Sequence, residues 1–421
     1  MPVARLEYVH HQFFEASLRD GELEWQRRER KDVANLPQIF LEDGRGWNEV
    51  NAWALDRAAS GDVSEETVKR TMKHLCRYAC FLEATGVDWR HFPVRKEEQV
   101  LRRFRKHLID AIWTGELSGT TASNCIGAVI QFYRFARAHH LVGTDSALWE
   151  DRSVVVRYFD AVGFERSAVR LSTDLKIPNR QRIGKQLEDG LLPLRAEHMS
   201  QLLAYSQQHV LEELHLMLVA GFFTGARVGT ITTLTVSSLH SVREDPLTPG
   251  VYLLRVGPGT GIATKFSVSG ELMVPSAVLE SFRLYATSTR RLLREARADH
   301  HLRDRLFIGR RAQPYTVSAV NRLVHEMRSR AVTAGLPFMH RFKFHQTRAT
   351  FGTWLMEILL DAGAKTDAIR VVRDAMLHKD ERTTLGYINF LERQRSKSTL
   401  AAAFNEAFTG LRDRDWSRAP T

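Results

Sequence analysis

The chain has 421 residues, of which 43% are hydrophobic, so it is long enough for two or three domains and can bury a core. Lysine and arginine number 60 against 49 aspartates and glutamates, and the net charge of +11 with a pI of 9.7 favours a polyanionic partner such as nucleic acid. The three cysteines exclude a disulfide framework. No leader segment and no long apolar stretch is recognised, which predicts a cytoplasmic protein without a membrane span.

Residues 1–55 show no clear periodicity and are interpreted as an N-terminal extension. Within them, the basic, mixed-charge run Trp25–Lys31 is typical of a solvated helix face and is less often a DNA contact.

Residues 56–146 have a helical pattern. Ser64 can cap a helix whose apolar residues recur every three or four positions as far as Gly86, a plausible helix end. Further helices are predicted around Val100–Trp113 and from about Ser123 to His140. The inward residues of this last helix are predicted to be Ile126, Val129, Ile130, Tyr133 and Ala136. We therefore expect a small helical domain.

Cys76 and Cys80 lie one helical turn apart, close to His74. Such a group sometimes binds a metal. The neighbouring residues are apolar, however, so we interpret both cysteines as small core residues and predict no metal site.

Residues 147–190 are rich in charge and are interpreted as a linker. Its basic stretch Asn179–Lys185 fits a connector that crosses DNA and fits a solvated loop equally well.

Residues 191–421 are more apolar and form a second predicted domain. The run Leu211–Phe223 predicts a buried helix that Gly225 ends. Strands are predicted at Val251–Val256, Phe266–Val268 and Leu272–Pro275, with helices from Ser276 onward. The glycine-rich stretch after the first strand is not a phosphate-binding P-loop, because no Gly-Lys-Ser/Thr follows it.

Five residues of this second domain occur in an informative order. Arg227 ends a Thr-Gly-Ala-Arg turn, His345 and Arg348 form an H-x-x-R motif, and His378 precedes Tyr387 by nine residues. This order and spacing resemble the tyrosine recombinase (phage integrase) family over about residues 60–410. The resemblance implies a mainly α fold with a small antiparallel β-sheet in the catalytic domain. It also implies a two-domain DNA clamp built from a helical core-binding domain and that catalytic domain.

The resemblance departs from the family pattern at three places. Thr230 stands where an acidic residue usually supports the first arginine, and Leu377 stands where a glycine usually precedes the histidine. The residues between His345 and Arg348 also differ from the usual ones.

In the family, a catalytic lysine lies in a hairpin between the first arginine and the H-x-x-R motif. Lys265 lies in the predicted hairpin and is the candidate.

The resemblance implies a role for each residue. Tyr387 would attack a DNA phosphodiester, and Arg227 and Arg348 would neutralise the growing charge on the phosphate. His378 would hold the same phosphate, His345 would take the tyrosine proton, and Lys265 would protonate the leaving 5′-oxygen. A 3′-phosphotyrosine and a Holliday junction would follow, without a metal, another cofactor or ATP.

The expected partner is double-stranded DNA with inverted-repeat recombination sites, bound by a homotetramer and by accessory DNA-bending proteins where they take part. A membrane partner is not expected. A type IB topoisomerase-like enzyme and a catalytically silent DNA-binding architectural protein are the alternatives.

After Tyr387, an apolar helical face is predicted either to dock into a neighbouring subunit or to pack on its own domain. Its residues are Leu400, Ala403, Phe404, Ala407 and Phe408.

Overall fold

The computed structural model describes residues 4–19, 22–30, 32–143, 146–159, 165–178, 187, 190–363, 365–378 and 383–392. The chain divides into two units, Met1–Gln181 and Arg182–Thr421. Helices dominate both units and the sheets are small and antiparallel, which confirms the predicted fold class. The division falls inside the stretch that we interpreted as a linker, and all the proposed domain boundaries stay predictions. No helix of the described residues is long and apolar enough to cross a membrane.

Within the described residues, the first unit has four helices, of which the last three form where periodicity predicts them and the first was not predicted. They are α1 (Asn48–Ser60), α2 (Glu65–Thr85), α3 (Val100–Trp113) and α4 (Gly119–Ala138). The Ser64 hydroxyl caps α2 by accepting a hydrogen bond from the Thr67 N–H, and Gly86 ends the helix in the left-handed conformation. The inward residues predicted for α4 are all buried in one core. Cys76 and Cys80 pack against the same core, as predicted.

Short strands occupy much of the sequence that lacks a periodic signal. Strand β1 (Arg5–His11) pairs with β4 (Val33–Phe40), and β2 (Phe14–Arg19) pairs with β3 (Glu22–Arg27). The helix considered for Trp25–Lys31 is wrong, because Trp25 lies in β3, opposite Ala16 of β2. Pairing between strands decides the structure of this region, and the charge pattern within the run does not report that pairing.

The stretch interpreted as a linker also carries a hairpin. Strand β5 (Asp151–Phe159) pairs with β6 (Glu165–Thr173) in an antiparallel register.

The second unit contains a three-stranded antiparallel sheet. Its strands are β7 (Arg243–Glu244), β8 (Val251–Val256) and β9 (Gly270–Pro275), in that order. Strand β8 confirms its prediction. The strand predicted at Phe266–Val268 is wrong, because Lys265–Ser267 form a 3-10 turn in which Phe266 has a φ of 62°. The chain has to turn back here so that β9 can pair with β8.

Helices form most of the rest of the described part of this unit. They are α5 (Ala196–His209), α6 (Glu212–Thr224), α7 (Val228–Ile231), α8 (Val236–His240), α9 (Ser276–Ala286), α10 (Thr289–Glu295), α11 (Val317–Thr333), α12 (Gln346–Asp361), α13 (Lys365–Ala375) and α14 (383–392). Helix α6 is buried over most of its surface, as its apolar run predicts.

Helix α6 approaches α12 very closely. A Cβ atom added at Gly221 would lie 2.3 Å from the Thr347 hydroxyl oxygen, and one added at Gly225 would lie 2.3 Å from Cδ1 of Phe351. Glycines spaced by one helical turn therefore let the two helices cross, which brings the start of α12 beside the end of α6.

Candidate active site

Arg348 joins two turns that are far apart in the sequence. It lies in the first turn of α12 and is 2% exposed. Its guanidinium donates one hydrogen bond to the carbonyl oxygen of Gly225 at 2.6 Å and another to the carbonyl oxygen of Met376. The first carbonyl lies two residues before Arg227 and the second lies two residues before His378. One buried side chain thus holds three segments of the predicted constellation together.

The turn that carries Arg227 is built by local chemistry. Gly225 ends α6 with a φ of 64°, and the Thr224 hydroxyl accepts a hydrogen bond from the Ala226 N–H at 3.2 Å. Arg227 follows as the N-cap residue of α7 and is half-buried. Thr230, at the position of the usual acidic residue, is 4% exposed. Arg227 therefore receives no carboxylate from this position.

His378 and Tyr387 lie side by side. Their ring centroids are 6.1 Å apart, with the rings inclined by 26°. The Thr384 hydroxyl lies 2.8 Å from Nδ1 of His378 and fixes the orientation of the imidazole. No role was predicted for Thr384. Its geometry makes it a support for His378.

Tyr387 is fully buried. It lies on α14 and packs against α12, where a Cβ atom added at Gly352 would lie 2.7 Å from its ring. The same added atom would lie 2.4 Å from the sulfur of Met376, so Gly352 makes room for both residues. The backbone of α12 therefore sets how closely Tyr387 can approach the His378 turn.

Leu377 adopts a conformation that favours glycine. Its φ is 50°, at the position where the family usually has glycine. A β-carbon in this left-handed region costs about 1–2 kcal/mol. The backbone therefore keeps the shape that a glycine would give it, although the residue is a leucine.

His345 occupies the start of α12. It is the N-cap residue with helical backbone angles, and it is half-buried. His345 and Arg348 therefore lie within the first turn of the same helix, as the H-x-x-R spacing predicts.

Lys265 lies on the exposed connection between β8 and β9, with its ammonium 5.2 Å from the centroid of the Phe266 ring. Two contacts tie this connection to the segment after Arg227. The Ala263 N–H donates to the Thr233 hydroxyl at 2.9 Å, and Arg305 donates to the carbonyl oxygens of Gly261 and Thr233. No sequence motif signalled Arg305 or Thr233, because these contacts cross long stretches of chain.

The chemistry of this group suits a phosphate. Two guanidinium groups present planar sets of N–H donors that match phosphate oxygens in shape. Two imidazoles and an ammonium supply groups that can donate or accept protons, and Tyr387 supplies a hydroxyl that can act as a nucleophile. The structure brings Arg348, His378, Tyr387 and the Arg227 turn together, and it places Lys265 on the hairpin whose last strand is β9.

Two predicted features lie outside the described residues. They are the basic stretch 179–185 and the apolar face of Leu400, Ala403, Phe404, Ala407 and Phe408.

Comparison with known proteins gives one family and several similar structures. Residues 193–393 match the model of the phage integrase family, which confirms the predicted resemblance. No curated protein sequence matches the chain at a significant level. The Tn1549 transposon integrase in complex with circular intermediate DNA is 16% identical, with a TM-score of 0.47, and the match covers 80% of this chain and 93% of that one. A lambda integrase dimer bound to a COC′ core site is 13% identical, with a TM-score of 0.47 and coverage of 89% and 98%. XerA recombinase is 17% identical, with a TM-score of 0.34 and coverage of 87% and 97%.

Proposed function

We propose that this chain, whose residues 193–393 match the model of the phage integrase family, is a site-specific DNA recombinase that cleaves and rejoins DNA through a 3′-phosphotyrosine. The observation that carries the proposal is the position of Arg348, which donates to the carbonyl beside the Arg227 turn and to the carbonyl beside the His378 turn. Tyr387 lies directly against His378. Tyr387, His378, Arg348 and the turn that carries Arg227 are therefore neighbours, which supports a shared site.

In the proposed reaction, the Tyr387 oxygen attacks the phosphorus in line with the bond to the 5′-oxygen. His345 takes the phenolic proton, and the bond between phosphorus and the 5′-oxygen breaks as the new phosphotyrosine bond forms. Lys265 gives a proton to the leaving 5′-oxygen. Arg227 and Arg348 neutralise the charge that grows on the non-bridging oxygens.

The support for each role differs from residue to residue. The Thr384 hydroxyl holds the His378 imidazole in one orientation, which suits a group that donates a hydrogen bond to phosphate. Tyr387 is fully buried, so α14 has to shift before its hydroxyl reaches a phosphate. Because the bond energy is kept in the phosphotyrosine, attack by a 5′-hydroxyl rejoins DNA without ATP or a metal.

The proposal includes an assembly. Two duplexes present four strands, so four active sites act in turn and a Holliday junction lies between the two pairs of exchanges. The expected partner is double-stranded DNA with inverted-repeat sites, and the net charge of +11 favours that polyanion. A homotetramer, accessory DNA-bending proteins and a cytoplasmic location complete the proposal.

The test is the formation of a covalent adduct. The probe is a duplex recovered from random DNA by binding to the full chain and then nicked near its centre. The wild-type chain should form a protein–DNA adduct on a denaturing gel, and Tyr387→Phe should form none. Tyr252→Phe is the matched control, because Tyr252 lies on β8 of the same unit and is half-buried. An adduct formed by Tyr387→Phe would overturn the assignment.

The same probe separates the alternatives. Relaxation of a supercoiled plasmid without the selected site, and without strand exchange, would favour a type IB topoisomerase-like enzyme. Binding without any adduct from the wild-type chain would favour a catalytically silent DNA-binding protein.

A further inference from the structure

We infer that Leu377 is a positioning residue that packs on Gly270 and thereby holds the Lys265 hairpin against the turn of His378. The inference rests on the proposed function, because it assigns Leu377 a part in placing the proposed general acid. Two residues that are unusual for their backbone conformations contact each other here. A leucine occupies a left-handed backbone position, and a glycine occupies the first position of a strand.

The contact between the two residues is very close. A Cβ atom added at Gly270 would lie 2.3 Å from Cδ2 of Leu377, a distance that real atoms do not adopt. The leucine side chain therefore fills the space that any other residue at position 270 would need. Glycine within a strand often marks such a close approach. Here the approaching group is the side chain of the residue directly before His378.

Gly270 belongs to the last residue pair between β8 and β9 before the connection that joins them. It pairs with Val256, and residues 257–269 between them carry Lys265. The two ends of this connection also lie close together, since a Cβ atom added at Gly257 would lie 2.6 Å from the carbonyl oxygen of Val268. The contact between Leu377 and Gly270 thus lies where the connection leaves the sheet. A shift of the backbone at Gly270 would therefore also move Lys265.

The backbone around Leu377 is held firmly. The Leu377 N–H donates to the carbonyl of Asp374 at 3.0 Å, and the His378 N–H donates to the carbonyl of Arg373 at 3.0 Å. The carbonyl of Met376 accepts from the Arg348 guanidinium. These three bonds fix the left-handed turn, so the position of the Leu377 side chain is tied to that of Arg348 and His378.

The connection therefore has two points of attachment. Its far side is attached to the Arg227 segment through Ala263 and Thr233, whose N–H and hydroxyl are 2.9 Å apart. Its near side is attached to the His378 turn through Gly270 and Leu377. Lys265 lies on the connection between these two attachments. Loss of the contact between Leu377 and Gly270 should leave the hairpin folded but Lys265 poorly placed.

The informative substitution is Leu377→Gly. Glycine suits the left-handed backbone better than leucine does, so the turn of His378 should keep its shape while the contact with Gly270 is lost. A misplacement of about 1 Å in a reacting group costs on the order of 100-fold in rate, and we expect cleavage to fall by roughly 10–100-fold. Binding of the selected duplex should stay within about twofold of wild type, because affinity is spread over many phosphates.

The discriminating substrate carries sulfur in place of the bridging 5′-oxygen at the cleavage position, which the Tyr387 adduct defines. A thiolate leaves without protonation, so Lys265→Ala should regain cleavage on this substrate. Leu377→Gly should regain it too, because it is proposed to act through Lys265. Leu336→Gly is the control, since Leu336 is a partly buried leucine that packs against the same core. Any loss in that variant should be equal on both substrates.

Hydrogen exchange gives a second readout that needs no substrate. Amide exchange in residues 257–269 should be faster in Leu377→Gly than in wild type and unchanged in Leu336→Gly. Unchanged exchange in Leu377→Gly, or no recovery on the sulfur substrate while Lys265→Ala recovers, would overturn the positioning role and leave the proposed function standing. If Lys265→Ala itself does not regain cleavage on the sulfur substrate, Lys265 is not the general acid. The positioning role of Leu377 is then overturned as well.

Discussion

Substitution of Gly225 by alanine tests the crossing of α6 and α12 on which the candidate site depends. Gly225 ends α6 with a φ of 64°, and its carbonyl accepts a hydrogen bond from Arg348 at 2.6 Å. A Cβ atom added there would lie 2.3 Å from Cδ1 of Phe351 and 2.8 Å from its Cε1. Alanine therefore meets two separate penalties at one position, namely backbone strain and a clash with a buried ring.

The two penalties have different sizes. The left-handed backbone costs a residue with a β-carbon about 1–2 kcal/mol. Overpacking of a well-filled core adds about 1–3 kcal/mol, because Phe351 or the backbone has to shift. Gly225→Ala should therefore lower the free energy of unfolding by about 2–5 kcal/mol. The matched control is Gly363→Ala, at a glycine that follows α12 with a φ of 81° and has nothing within 4 Å of its added Cβ atom. This control should lose about 1–2 kcal/mol.

The assay is urea unfolding of the full chain, followed by far-UV circular dichroism, with calorimetry to identify the transition of the second unit. Combining Gly225→Ala with Phe351→Val should cost less than the sum of the two single changes, since the smaller side chain makes room for the added methyl group. Equal losses for Gly225→Ala and Gly363→Ala, together with additive energies in the double variant, would refute the close packing of Gly225 against Phe351.

Three further predictions concern other parts of the molecule. Arg227→Ala should cut cleavage of the selected duplex by orders of magnitude but weaken its binding only slightly, because one of many phosphate contacts is lost; parallel losses in gel-shift and adduct assays would indicate a structural role. Burial raises the pKa of the Cys76 thiol to about 12, so the thiol stays protonated well above neutral pH. At pH 9, mass spectrometry should show alkylation of Cys76 by iodoacetamide roughly 100-fold or more slower in the folded chain than in urea, and equal rates would contradict the burial. Truncation after Ser396 should leave half-site binding intact but abolish synapsis, measured by gel shift with one and two sites; a large fall in melting temperature would instead favour packing of this segment on its own domain.

Local patterns were enough to predict α2, α3 and α4, whereas α1 was not predicted. Helix α3 forms at the predicted bounds, and α2 begins at the predicted cap Ser64, because a serine cap and apolar spacing act within a few residues. The strands near the N-terminus were missed for the opposite reason. Strand β1 pairs with β4 more than 20 residues later, and neither strand has a strong alternating pattern. The strand predicted at Phe266–Val268 failed because a turn had to be placed there to return the chain to β8.

The sequence by itself determined which residues are candidates for the site, because residue type and order along the chain carry that information. It determined Gly225 as a helix end for the same reason, since a left-handed position favours glycine locally. Only the tertiary structure decided that Arg348 spans 123 residues to the Gly225 carbonyl and 28 residues to the Met376 carbonyl. It also decided that Leu377 takes a conformation suited to glycine and meets Gly270. Contacts of this kind depend on how helices and strands pack, and packing is a property of distant residues together rather than of any local pattern.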